Sequence, residues 1–263
     1  MSIYDSIVPD AIEQLVRDAG TLALEHFHRL SSISVQSKGH LDLVTAADQE
    51  VERFLTERLH KVLPNDGIFG EEGSSVTGKS GRIWVVDPID GTFNFVRGGD
   101  QWAISVGLYQ GGRPEFGVIH APARHQTLIG GRNLRPTLNG QPLDPTPALV
   151  RSRAVVGVSL HPSVPTPVRL AVMRFIMDDA RMSFRFCGSA TISLLELAVG
   201  QVDGYVGLGL STWDVMAALP ILSQLGVENT VDWSQTNLSS KLKFASGSRE
   251  FLDIIAPALV LLR

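Results

Sequence analysis

The sequence predicts an α+β fold built in layers, an α+β half stacked on an α/β half. Three observations carry that expectation. Apolar residues recur at helical spacing through residues 11–30 and again through 45–63. From residue 67 the pattern shortens to strand-like runs separated by turn residues. From residue 154 strand-type and helix-type segments alternate to the end of the chain. There is no internal repeat and no low-complexity tract.

In chain order, Ile12, Leu15, Val16, Ala19, Leu22 and Ala23 line one face of a first helix, and a polar stretch, SSISVQSKGH, follows. A second helix opens at Thr45 with Asp48 as a capping pair, presents Val51, Phe54, Leu55, Leu59 and Val62 on one face, and ends at Pro64. Histidines 26, 28 and 60 on these helices read as solvent-facing or packed side chains. GIFGEEG, RIWVVD, WAISVGLY, PEFGVIHAP and TLIGG then read as five strands. LNGQPLDPTPA holds three prolines and reads as a connector, which divides the chain at residues 1–145 and 146–263. Beyond it come a strand at AVVGVSL, a helix at TPVRLAVMRFIM, a strand at FRFCG and a helix at SATISLLELAVG. A strand at DGYVGLG, a helix at DVMAALPILSQLG, a strand at KFASG and a helix at EFLDIIAPALVLL complete the set.

Composition excludes several classes. A net charge of −4 with no lysine or arginine cluster argues against a nucleic-acid surface. No apolar run approaches the roughly 18 residues of a membrane span, and the first ten residues lack the basic and apolar regions of a signal peptide. The single cysteine, Cys187, rules out an intrachain disulfide and a thiolate metal cluster, reads as a buried small side chain, and fits a reducing cytoplasm.

One stretch, WVVDPIDGTFNFVR at residues 84–97, leaves a strand and at once sets two carboxylates, Asp87 and Asp90, three residues apart. Two bare carboxylates 4 Å apart repel by about 4 kcal/mol at an effective dielectric of about 20, so something must compensate. Glu71 and Glu72 also follow a strand, and Asp214 opens a helix after a glycine-rich strand. Taken singly, each acid reads as a cap, a turn or a solvated residue. Taken together they are the hard oxygen donors that magnesium takes beside a substrate phosphate. DPID supplies two carboxylates with the Ile89 carbonyl between them, and GTFNF starts a short helix whose free amides suit an anion. The acids do not alternate as an EF-hand loop requires.

On these residues the chain closely resembles the inositol monophosphatase family of magnesium-dependent, lithium-sensitive phosphatases. KGHLDLVTAAD at 38–48, GEEG at 70–73, WVVDPIDGTFNF at 84–95, GSA at 188–190 and WD at 213–214 stand in the order of the family's blocks, and the third is highly specific. The resemblance implies an αβαβα sandwich of the inositol monophosphatase and fructose bisphosphatase type, and a homodimer. It implies that Glu71, Asp87 and the Ile89 carbonyl hold a first Mg²⁺, that Asp87, Asp90 and Asp214 hold a second, and that Glu71 touches a third. Gly91 and Thr92 would bind phosphate through backbone amides. Thr92, backed by Asp48 and with Glu71 nearby, would orient the attacking water. Gly188, Ser189, Ala190 and Gly207 would join Asp90, Gly91, Thr92 and Asp214 around the substrate. Four carboxylates and a phosphate of charge about −2 are close to balanced by three Mg²⁺.

Three departures concern the leaving-group pocket. Gly207 stands about seven residues before the last Asp, where inositol-specific members carry a glutamate; Met216 stands where a small residue is usual; SQLGVENTVDW lacks a Gly-Gly pair. The implied activity is hydrolysis of a small polyol or sugar phosphate. Histidinol phosphate, a nucleotide 3′-phosphate and fructose 1,6-bisphosphate are alternatives in the same fold. A regulatory or binding protein that retains the metal site is the alternative of another class.

Overall fold

The computed structural model describes residues 4–30, 35–39 and 42–260. The first residues of the leader reading, part of SSISVQSKGH, His40 and Leu41 of the 38–48 block, and the last three residues lie outside that description. Helix α1 (Tyr4–Phe27) leads to a hairpin of β1 (Val35–Gly39) and β2 (Asp42–Thr45), then α2 (Ala46–Val62). The hairpin replaces much of the polar stretch that the sequence left without structure. Next come β3 (Gly67–Gly70), β4 (Ser75–Val76), β5 (Arg82–Asp90), the single turn α3 (Thr92–Phe95), β6 (Ala103–Gln110), β7 (Arg113–Ala121), β8 (Gln126–Gly131), β9 (Leu134–Leu138) and β10 (Gln141–Pro142). The second half holds β11 (Val155–Leu160), α4 (Thr166–Arg174), β12 (Ser183–Arg185), α5 (Ala190–Ala198), β13 (Gly204–Leu210), α6 (Trp213–Met216), α7 (Ala218–Gln224), β14 (Glu228–Asn229), β15 (Leu242–Gly247) and α8 (Arg249–Val260).

Strands β3–β10 form an eight-stranded sheet in the order β10-β9-β8-β7-β6-β5-β3-β4. Strands β11–β15 form a five-stranded sheet in the order β12-β11-β13-β15-β14. The apolar stripes of α1 (Ile12, Val16, Ala19) and α2 (Val51, Leu55, Leu59) pack with Trp84, Val86, Ile104 and Val118 on one face of the large sheet. A second core, with Ile192 and Leu195 of α5 and Ile221 and Leu222 of α7, joins Ile119 and Leu128 of the large sheet to Tyr205 and Phe244 of the small one. A third packs α4 and α8 (Val172, Leu252, Ile255) against Val156, Val158 and Val206 on the outer face of the small sheet. The layers are therefore αβαβα, as the resemblance implied.

Local expectations fare unevenly. Thr45 and Asp48 form the reciprocal cap at the start of α2. Strand β9, Leu-Arg-Pro-Thr-Leu, was missed because Arg135 and Thr137 leave it no apolar run and Pro136 argues against a central strand; only the two-residue β10 lies beyond it. The helix expected over 214–226 is two pieces, because Pro220 has no N–H to donate to the Met216 carbonyl one turn earlier. The strand expected through Gly188 ends at Arg185. No helix among the described residues is long and apolar enough to cross a membrane.

Candidate metal centre and its cleft

Strands β3 and β5 are parallel neighbours, so their C-terminal ends meet at one edge of the large sheet, and the Glu71 amide donates to the Val86 carbonyl at 3.1 Å. That topology brings GEEG to DPID. Residues three apart on a regular strand point to opposite faces. Here the pairing of β5 with β6 is irregular between Asp87 and Asp90, a local bulge of the kind that re-aims side chains beside sites. Both carboxylates therefore converge on one point.

Asp214 arrives from the other sheet. It lies in α6, which packs on the large sheet where the Ser105 hydroxyl donates to the Trp213 carbonyl at 3.3 Å. One oxygen from each of Asp87, Asp90 and Asp214 lies within 4.8 Å of the others. Asp90 Oδ2 accepts from the Ser189 hydroxyl at 2.8 Å and from the Thr191 amide. Asp214 Oδ2 accepts from the Ser211 amide at 2.8 Å. Asp87 is only 1% exposed, and no hydroxyl, amide or cationic group donates to either carboxyl oxygen; the neighbour that comes within reach is another acid, Glu71. Burial first, then the charges of Glu71, Asp90 and Asp214, push its pKa well up. Burial and the charges of Asp90 and Glu71 raise Asp214 well above the usual range, against the pull of the Ser211 amide and Lys241. Asp90 is raised by burial and held back by its donors.

A buried carboxyl among like charges, with no donor of its own, is destabilising unless a cation completes it. The donor set is all hard oxygen, which fits a divalent ion of the magnesium type and no soft metal. Ile89 is buried in the first core, and its carbonyl accepts from the Thr92 hydroxyl at 3.1 Å.

Beside the triad, Gly91 adopts φ +96°, and a Cβ there would stand 2.6 Å from the Gln101 carbonyl oxygen. Only glycine makes this left-handed entry. Gly91, Thr92 and Phe93 line the cleft at the start of α3, where the first amides of a helical turn lack intrahelical partners. The Thr92 hydroxyl also lies 3.4 Å from Asp48 Oδ1, while Asp48 Oδ2 is held by the Thr45 amide at 2.8 Å. The capping pair thus also orients the acid behind Thr92. Asn94 donates to the carbonyls of Gln101 and Cys187 at 2.7 and 2.8 Å, tying the turn before α5 to this corner.

The cleft has a volume of about 470 Å³. Glu71, Asp90, Gly91, Thr92 and Asp214 line it together with Ser159, His161, Phe186, Gly188, Ala190, Leu210, Ser211 and Lys241. Three expectations need correction. Ser189 does not line the cleft; it is 1% exposed, caps α5 and spends its hydroxyl on Asp90. Gly207 is buried in β13, where a Cβ would meet Leu210 Cδ1 at 2.6 Å and the rings of Tyr205 and Phe244 at 3.0 and 3.1 Å, so it points into the core and not toward a substrate. Met216 is fully buried against Gly107 of β6 and is no wall of the cleft.

Sequence reasoning missed Lys241, His161 and Phe186. The antiparallel pairing of β13 with β15 sets Leu242 opposite Leu210 and so brings Lys241 to Ser211. Lys241 lies just before the last strand, and which strand that one pairs with could not be read from the sequence.

The model described as the inositol monophosphatase family matches residues 6–257. A Thermotoga maritima protein named fructose-1,6-bisphosphatase/inositol-1-monophosphatase is 31% identical over 217 residues, 81% of this chain and 80% of that one. A Haemophilus influenzae protein named Nus factor SuhB is 30% identical over 250 residues, 92% and 93% of the two chains. Among solved structures, the Bartonella henselae extragenic suppressor protein suhB superposes with a TM-score of 0.89 at 24% identity, covering 97% of this chain and 98% of that one. A Thermotoga maritima IMPase superposes at 0.82 with 27% identity, covering 96% and 97%. With the acidic triad, the layered fold and this near-complete match, the chain belongs to the inositol monophosphatase family.

Proposed function

We infer that the protein is a Mg²⁺-dependent phosphomonoesterase acting on small phosphate esters. The observation that supports this best is the triad of Asp87, Asp90 and Asp214, with Asp87 buried and lacking any donor, beside a cleft at the Gly91 turn. Glu71, Asp87 and the Ile89 carbonyl would hold one ion, Asp87, Asp90 and Asp214 a second, and Glu71 would reach a third. Bound there, the ions supply Lewis acidity toward the phosphoryl oxygens and a water of lowered pKa.

The chain's own residues do the rest. The amides of Gly91 and Thr92 receive the phosphate. Thr92 Oγ1, already bonded to the Ile89 carbonyl and close to Asp48 Oδ1, orients the attacking water, and Asp48 is the acceptor toward which its proton moves. A general base contributes about 10²–10⁴ in rate, whereas phosphate-monoester hydrolysis needs up to about 10²¹. The carboxylate cluster must therefore carry most of the acceleration through what it binds. Family resemblance also supports a homodimer and a cytoplasmic location.

The likeness to relatives named Nus factor SuhB favours a second reading, a protein acting through its surface with the site retained. Phosphate release from a panel of monoesters, with Mg²⁺ and with EDTA, separates the two. Release that requires Mg²⁺ and is lost in Asp87→Asn supports the enzyme; no release from any ester leaves the surface reading.

A further inference from the structure

The cleft that holds Glu71, Asp90 and Asp214 also carries a cation, Lys241. Lys241 Nζ donates to the Ser211 hydroxyl at 2.6 Å and stands 5.6 Å from the centre of the Trp213 ring. Ser211 in turn donates its amide to Asp214, which places the ammonium one residue from the triad. Among the described residues the ammonium is held by Ser211 and the Trp213 ring, and its charge also acts on Asp214. The acids of the cleft, Glu71, Asp90 and Asp214, all belong to the proposed metal centre.

Beyond Thr92, the hydroxyl-bearing residues of the cleft are Ser159 and Ser211, and Leu210 fills the space over Gly207. A neutral polyol leaving group donates hydrogen bonds from several hydroxyls, and such a wall offers it few strong acceptors. An ammonium has donors only, and its natural partner is an anion.

We propose that Lys241 determines specificity by receiving a second anionic group on the leaving group, so that this cleft prefers phosphate esters of anionic alcohols to esters of neutral polyols. The second group is a phosphate, a sulfate or a carboxylate; the ammonium recognises their shared charge. Trp213 beneath the ammonium and the bond to Ser211 hold the side chain in place for that contact. The proposal rests on the phosphomonoesterase reading. The competing role for Lys241 is to offset Asp214 through Ser211, which would act on every substrate alike.

Matched pairs of esters separate the two roles. Fructose 1,6-bisphosphate is set against fructose 1-phosphate, and 2-phosphoglycerate against glycerol 2-phosphate, with kcat/KM measured at saturating Mg²⁺. The wild-type protein prefers the doubly anionic member of at least one pair by tenfold or more. The pair that responds identifies phosphate or carboxylate as the better-placed group. In Lys241→Met that ratio falls by at least tenfold, while Lys241→Arg retains most of it, and the wild-type ratio declines as ionic strength rises. Equal rates within both wild-type pairs overturn the proposal and leave the phosphatase reading standing. Equal losses for both members in Lys241→Met also overturn it and assign the side chain to Asp214. No release from any ester removes both readings.

Discussion

Asp87→Asn separates what the acidic cluster costs from what it binds. In metal-free protein the side chain is a buried carboxyl within 4.8 Å of two others. At that separation one charged pair repels by about 3.5 kcal/mol at an effective dielectric of about 20. Proton uptake by the raised carboxyls relieves part of this, so the net strain removed by a neutral amide of the same shape is about 1–4 kcal/mol. The amide can donate to the neighbouring carboxylates, so the swap adds no buried donor without a partner. A chain of 263 residues unfolds with an entropy near 0.55 kcal/mol per degree. The substitution should therefore raise the melting temperature in EDTA by about 2–7 °C.

With Mg²⁺ the sign reverses. A ligand at about 100 times its dissociation constant adds about 2.7 kcal/mol, or about 5 °C for a chain of this size. Wild type should gain that shift, and Asp87→Asn should lose most of it together with phosphate release. Differential scanning fluorimetry in EDTA and across a Mg²⁺ titration reads both arms. A lower melting temperature in EDTA would refute the strain argument. A retained Mg²⁺ shift, with activity within tenfold of wild type, would refute the assignment of Asp87 as a ligand.

Other outcomes follow from single contacts. Thr92→Ala removes the hydroxyl between Ile89 and Asp48 but leaves the backbone amide; kcat should drop about 10²-fold or more with little change in Mg²⁺ half-saturation, and an effect on half-saturation alone contradicts the role. Lithium should inhibit at saturating substrate by competing for one ion position, on family resemblance; insensitivity to tens of millimolar Li⁺ would mean that position differs. His120, packed against Gly20 and bonded to Thr127 Oγ1 at 2.8 Å, has its pKa pushed down to about 4, chiefly by burial. Because the unfolded chain binds that proton near pH 6.5, the stability it contributes is full above 6.5 and is lost as pH falls toward 4, about 3 kcal/mol in all; denaturant titrations at pH 7 and pH 4.5 should show a loss that His120→Gln reduces.

How far the sequence reached depended on the kind of information each feature carries. Helix stripes, the Thr45–Asp48 cap and the DPID-GT turn are written in neighbouring residues, and all stand in the structure. The convergence of Asp214 on Asp87 and Asp90 is not local; it follows from α6 crossing between the sheets and became legible only through the resemblance. Ser189 illustrates a different limit. The resemblance grouped it with Asp90 around the substrate, but such grouping does not reveal whether a hydroxyl faces a ligand or a neighbouring ligand-holding side chain. Lys241 had no signal of its own, because which strand pairs with β15 is a property of the sheet.

Gly207 shows the sharpest failure of counting. The expectation came from its position seven residues before Asp214, taken to fix which way the residue points. Strand β13 breaks register between Leu208 and Leu210, with Gly209 at φ +77°, and an inserted residue exchanges the faces of a strand. Counting back through that bulge does not give a reliable face. The structure turns the Cβ direction of Gly207 toward Leu210, Tyr205 and Phe244. Gly207→Glu would accordingly insert a carboxylate among apolar groups instead of offering it to a substrate. Overpacking alone costs about 1–3 kcal/mol, and a buried carboxyl without a donor adds about 1–3 more. Leu210 Cδ1 is the end of a flexible chain and can yield, but the two aromatic rings are packed in the core between the sheets. The variant should melt at least about 4 °C below wild type, and its preference between inositol 1-phosphate and glycerol 2-phosphate should stay within threefold of the wild-type ratio. Thermal melts and the paired kcat/KM values test this together. A variant that melts within 2 °C of wild type and gains tenfold for inositol 1-phosphate would show that position 207 faces the substrate after all.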